Sequence, residues 1–123
     1  MEEKELQIDL QFEETVKAKA EAIAAREKIK RVIPIVVEGR EDLGEKPYFV
    51  AYMRIPSMKA LSKFMMTSSA NSVIAQQNLA KDCFIDGDKE LLTDDELFLF
   101  GLMPQLNTLI EPRNAKIVNL SKA

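Results

Sequence analysis

Histidine and tryptophan are absent from the 123 residues, and cysteine occurs once, as Cys83. Without histidine the chain lacks the commonest general base and the commonest metal ligand. A lone cysteine forms no internal disulfide, which fits a reducing compartment. No apolar run approaches the roughly 20 residues needed to cross a bilayer. The opening stretch, MEEKELQIDL, is acidic and lacks the basic and apolar regions of a secretory leader. A cytoplasmic protein without membrane association is therefore expected. Gly-rich phosphate loops and the CxxC, GxSxG and HExxH motifs do not occur. The expectation is a non-enzymatic chain with no cofactor and no metal.

A chain of this length supports one domain with a modest core, burying roughly two-thirds of its unfolded surface. Its charge is segregated. Residues 1–45 sum to −4, residues 46–81 to +5 with no acid at all, residues 82–96 to −6 and the remainder to +2, for a net −3. The basic middle can pair with the acidic block inside one fold, or between neighbouring subunits in a head-to-tail contact.

Along the chain, Leu6, Ile8, Leu10 and Phe12 alternate with polar residues, a period-2 signal for a short strand, with an acidic frayed arm as the alternative. From Glu13 to about Arg31 the composition shifts to Ala, Glu, Lys and Arg, which predicts a helix. Its apolar face (Phe12, Val16, Ala20, Ile23) is thin, so this helix is expected to be peripheral or to pack on another subunit. Val32–Glu38 reads as a strand with Ile33, Ile35 and Val37 on one face, and Pro34 marks it as an edge or a strand start. The polar loop Gly39–Lys46 joins it to a second strand over Pro47–Ile55, forming a hairpin. Pro56 ends that strand, and Ser57 is the expected N-cap of a helix carrying Met58, Leu61 and Met65 at i, i+3, i+7. Thr67-Ser68-Ser69 predicts a break or bend. A stripe of Met66, Ala70, Val73, Ala80 and Phe84 continues the helical pattern to about Cys83. Asp86-Gly87-Asp88 is a turn by composition. In Leu92–Leu97, Thr93 is the expected N-cap, with Glu96 completing a capping box. The helix beyond carries Leu99, Leu102, Leu106 and Leu109, and Pro104 must kink or restart it.

Few residues invite a chemical role. Asp86, Asp88 and Glu90 fail the calcium-loop template, which needs Gly and Glu where Leu91 and Leu97 stand. Asp94, Asp95 and Glu96 sit in the first turn of the predicted helix, where the helix dipole already favours acids. Cys83 lies on an apolar stripe without a histidine to activate it, which marks a buried structural thiol. Met53, Met58, Met65, Met66 and Met103 have two readings. They fill the core, or they form an adaptable surface that repacks against apolar helices of a partner.

Two short stretches carry a family resemblance. Ala51-Tyr52-Met53-Arg54-Ile55-Pro56-Ser57 is a strand-to-helix corner of the form AYxRxPS. Cys83-Phe84-Ile85-Asp86-Gly87-Asp88 is followed by Leu92-Thr93-Asp94-Asp95-Glu96-Leu97-Phe98. In this order the segments resemble the tail assembly chaperones of siphophage-type bacteriophages and prophages. There a hairpin strand, a Pro corner, a helical region, a C-aromatic-I-x-G-D turn and a capped final helix recur. The resemblance spans about Val32 to Ile110, and the segment Glu13–Arg31 lies outside the family pattern.

The resemblance implies a non-enzymatic protein that coats the long, apolar, helical tape measure protein. It would keep that protein soluble until tail tube subunits polymerise around it, with the tail tube protein as a second partner and self-association. The expected fold is a mainly helical α+β single domain with a small antiparallel sheet. Its plan is an arm or strand over 1–12, a domain over 13–111 and a tail over 112–123. Within the domain the elements are a helix over 13–31, a hairpin over 32–55 and helices over 57–83 and 93–110. The expected partner face comprises Tyr52, Met58, Leu61, Met65 and Met66, with Lys59 and Lys63 at its rim and Arg54 beside it. The alternative is a nucleic-acid-associated regulatory or small interaction domain using the basic segment 46–81, although the acidic chain has no known nucleic-acid motif. A metal-dependent hydrolase built on Asp86, Asp88 and Asp94 is a third reading.

Overall fold

Asp9 starts the first helix by accepting a hydrogen bond from the Gln11 amide, 2.7 Å away. The computed structural model describes residues 8–119. Among them the chain forms five α-helices and a three-stranded antiparallel sheet, a small α+β fold. Helix α1 (Leu10–Glu27) replaces the strand that the alternation around Leu10 and Phe12 predicts. Both residues fall inside the helix begun by Asp9, and Leu6 lies outside the described residues. The helix is not peripheral. Val16, Ala20 and Ile23, at i, i+4, i+7, are buried against Val32, Val50 and Tyr52 of the sheet. It ends at Lys28, whose positive φ of 57° gives the left-handed turn that glycine usually supplies.

Strands β1 (Val32–Glu38) and β2 (Tyr48–Arg54) pair in register from Val32 opposite Arg54 to Glu38 opposite Tyr48. Pro34 is tolerated because β1 is an edge strand. The middle strand, β2, is buried from Phe49 to Met53. Its alternation sends Phe49, Ala51 and Met53 to one face, with Ile33, Ile35 and Val37 of β1, and sends Val50 and Tyr52 to the other, under α1. The hairpin loop closes on itself, with the Gly39 amide donating to the Pro47 carbonyl and the Arg40 amide to the Glu45 carboxylate.

Beyond the Pro56 corner, Ser57 caps helix α2 (Met58–Ser68) through its hydroxyl, which accepts from the Ala60 amide. The helical region expected over 57–83 is interrupted after Ser68, where Thr67-Ser68-Ser69 predicts a break. Asn71 then caps helix α3 (Ser72–Cys83) by accepting from the Ile74 amide. Phe84 leaves the helical stripe and begins strand β3 (Phe84–Gly87), whose last two residues fall in the Asp86-Gly87-Asp88 stretch that composition reads as a turn. It pairs with β2, with an irregularity between Tyr52 and Met53 that leaves Ile85 as the extra residue. Asp88 extends the ladder. Its amide donates to the Val50 carbonyl and its carboxylate accepts from the Val50 amide, both at 2.8 Å.

The C-terminal segment departs furthest from a regular helix. Thr93 closes the short α4 (Glu90–Thr93), its hydroxyl donating back to the Lys89 carbonyl. Asp94, not Thr93, caps α5 (Asp95–Leu97) by accepting from the Leu97 amide. The capping box does not form, and Glu96 faces Arg40 at 3.6 Å instead. A π turn over Phe98–Leu102 and a 3-10 stretch over Met103–Leu109 follow. Pro104 explains both. It has no amide for the Phe100 carbonyl, so the helix widens ahead of it, where Met103 donates to the Phe98 carbonyl, and tightens after it. Phe98 is fully buried in the core with Leu102, Leu106 and Leu109, while Leu99 packs on it only half-buried. Ile117 and Val118 are exposed and add no strand. The result is three layers: α1, the sheet, and α3 with the C-terminal segment. Helix α2 lies outside them, against α3.

Gly87 has φ of +119°, and a Cβ there would lie 2.2 Å from the Val50 carbonyl oxygen. Gly87→Ala is expected to cost roughly 2 kcal/mol or more, whereas Lys28→Gly relieves a left-handed residue and gains up to about 1 kcal/mol. Denaturant midpoints check both, and an unchanged midpoint for Gly87→Ala would contradict the close approach of β3 to β2.

Candidate partner-binding surface

Helix α2 contains no buried residue. Only Phe64 reaches the core, and with Ala60, Leu61, Thr67 and Ser68 half-covered it defines the inward face. At about 100° per residue the opposite face carries Met58, Ser62, Met65 and Met66, with Lys59 and Lys63 along one flank. Met58 is 85% exposed, Met66 80% and Met65 66%. Ile55 and, on α3, Val73 and Ile74 are exposed as well. The methionines thus divide. Met53 is fully buried, while three of the others form an adaptable exposed face.

The expected site residues do not all meet. Met58, Met65 and Met66 share the outer face of α2, and Leu61 is half-buried at its edge. Tyr52 is a correction. It is only 4% exposed and lies on the opposite side of the sheet, under α1, with the Lys19 ammonium 5.2 Å from its ring centre. Strand alternation explains this, because Tyr52 shares a face with Val50 and not with Met53. Burial first, then the nearby Asp86 and Asp88 carboxylates, raise the Tyr52 pKa.

Arg54, Lys59 and Lys63 open instead onto a groove of about 1000 Å³ between the base of the β1–β2 hairpin, α2 and the segment after Leu109. Lys30, Arg31 and Arg113 complete its basic lining, opposed by Asp82 and Glu111, a local +4 on a chain of net −3. Arg54 pairs with Glu27 at 3.4 Å and Lys63 with Asp82 at 3.0 Å. Lys30, Arg31, Lys59 and Arg113 have no ion-pair partner among the described residues. The basic segment 46–81 is therefore not one patch. Lys46 sits at the far end of the hairpin, paired with Asp88. Lys30 and Arg31 come from a region whose sum is acidic. The signal was the run Lys28-Ile29-Lys30-Arg31 just ahead of β1, whose first residue pairs with Arg54.

Asp86, Asp88 and Asp94, the carboxylates of the hydrolase reading, each have a structural partner. Asp86 accepts from the Gly87 amide, Asp88 completes the β2 ladder and Asp94 caps α5. Among the described residues no group of three His, Cys, Asp or Glu side chains is placed to hold a metal ion. No helix among them is long and apolar enough to cross a membrane. Comparison with protein-family models, with curated proteins and with solved structures finds no match to this chain.

Cys83 is fully buried, and burial, with Asp82 adding to it, pushes its thiol up to about 11. Iodoacetamide at pH 8 should modify the unfolded chain and leave the folded one intact. The unfolded thiol ionises near its ordinary value of 9.0, so the folded state loses stability as pH rises from there through about 11. Tyr52 contributes in the same direction at higher pH. Cys83→Ala should flatten that part of a stability-against-pH curve, and an unchanged slope would contradict it.

Proposed function

We propose that this chain is a non-enzymatic assembly chaperone of phage or prophage tails that binds and solubilises the tape measure protein. The observation that carries the reading is the outer face of α2, where Met58, Met65 and Met66 stand exposed on a helix that buries no residue of its own. Flexible thioethers on such a face repack against varied apolar helices, as a client with a long helical sequence requires. Lys59 and Lys63 flank it and add electrostatic steering. The AYxRxPS corner supports the same reading through the resemblance it carries, and its Ser57 caps α2. The tail tube protein as a second partner, self-association and a cytoplasmic location in the bacterial host belong to this proposal.

Substituting Met58, Met65 and Met66 together by Ser should cost no more than about 1 to 1.5 kcal/mol, because all three are exposed and the loss is chiefly helix propensity. Co-expressed tape measure protein should then shift from the soluble to the insoluble fraction. Charge reversal of Lys59 and Lys63 should weaken binding by a factor that shrinks as salt rises. Full solubilisation by the triple variant would overturn the assignment of α2. A very long helix-rich reading frame just downstream of the gene, with a tail tube gene upstream, is the expected neighbourhood, and metabolic neighbours would remove the main support.

A further inference from the structure

The groove beside α2 has a chemistry that the methionine face does not explain. Six basic side chains line it against two acidic ones, and between them lie Ile29, Ile55, Ala60, Leu109 and Pro112. We infer that this groove receives an acidic amphipathic helix, a segment whose apolar stripe rests on Ile29, Ile55 and Leu109 while flanking carboxylates meet Lys30, Lys59 and Arg113. The inference rests on the reading of α2 as a client-binding helix and names the chemistry that the client must carry at this end of it.

Three observations favour that occupant. Cations without ion-pair partners among the described residues stand on three separate walls: Lys30 and Arg31 ahead of β1, Lys59 on α2, and Arg113 after the 3-10 stretch. A bound carboxylate would therefore be met from more than one side. The apolar floor contains no aromatic residue, so it offers no platform for stacking bases, and Asp82 and Glu111 interrupt the basic track that a continuous phosphate chain would follow. The volume matches roughly eight residues of a helix about 10 Å across with a 1.5 Å rise per residue. Lys59 and Lys63, one turn apart, form the border between groove and methionine face. A client lying along Met58 and Met66 can thus place a neighbouring acidic amphipathic segment in the groove.

Two fluorescein-labelled amphipathic helical peptides of about 14 residues, with identical Leu/Ala faces and either Glu or Gln on both flanks, test this by anisotropy. The full chain should bind the Glu peptide at least about tenfold more tightly at 50 mM salt than the Gln peptide, with the advantage shrinking toward 300 mM. Lys30→Glu with Arg113→Glu, both exposed and outside α2, should remove that advantage and leave the Gln peptide unaffected. Circular dichroism confirms that this variant is folded. Equal binding of both peptides would overturn the groove inference and leave the α2 reading standing. Binding of neither would overturn both. Tighter binding of a single-stranded oligonucleotide than of the Glu peptide would assign the groove to nucleic acid. Loss of the Glu-peptide advantage as protein concentration rises, with sedimentation showing oligomers, would assign it to a second copy.

Discussion

The side chains from Phe49 to Met53 are all buried because β2 is the middle strand and both of its faces are covered. Alternation along those five residues divides the molecule. Ala51 and Met53 look toward α3 and the C-terminal segment, and Val50 and Tyr52 look toward α1. The same strand fixes its neighbours. Asp88 bonds both backbone groups of Val50, and Gly87 allows β3 to approach without a Cβ. A one-residue slip of β2 would exchange its two faces and put Met53 under α1, where Tyr52 now lies. The extra residue Ile85 accommodates the mismatch between a four-residue strand and a twisting partner.

Helix α2 stands apart from this arrangement. The core closes over Leu79, Cys83, Phe98 and Leu106 without it, and α2 adds only Phe64 from its inward face. A helix so placed is free to keep an apolar outer surface, because mutation there costs the fold little. Its position is still well defined: Pro56 ends β2, Ser57 caps the helix, and Lys63 reaches Asp82 on α3. The methionine face and the basic groove thus meet along one helix held against a core that does not need it.

Much of this was legible in the sequence. The hairpin followed from Ile33, Ile35 and Val37 facing the aromatic run of β2, and the α2 start followed from the Pro-Ser corner. The helix break followed from three consecutive hydroxyl residues. What was not legible depended on partners distant in the chain. Strand β3 is only four residues long and ends in the Asp-Gly of a turn-like stretch, and pairing with β2 makes it a strand. The alternation of Leu10 and Phe12 lost to a helix capped by Asp9. Thr93 and Asp94 are adjacent candidates for one cap, and the carboxylate took it while the hydroxyl bonded backward. Tyr52 shows the limit of pattern reading at the candidate site. Periodicity says which residues share a face of β2 but not which element covers that face. The groove was hidden for the same reason, since Lys30, Arg54, Lys59 and Arg113 come from four separate parts of the chain.

The central proposal is that α2, which adds only Phe64 to the core, is where a client binds. Amide hydrogen exchange of the free chain and of its complex with the tape measure protein tests it directly. The account predicts that amides of Met58–Ser68 exchange well ahead of those in Tyr48–Arg54 in the free chain. They should slow by at least about tenfold in the complex, while β2 stays unchanged. Equal protection of α2 and β2 in the free chain, or client protection appearing elsewhere with α2 unaffected, would contradict it.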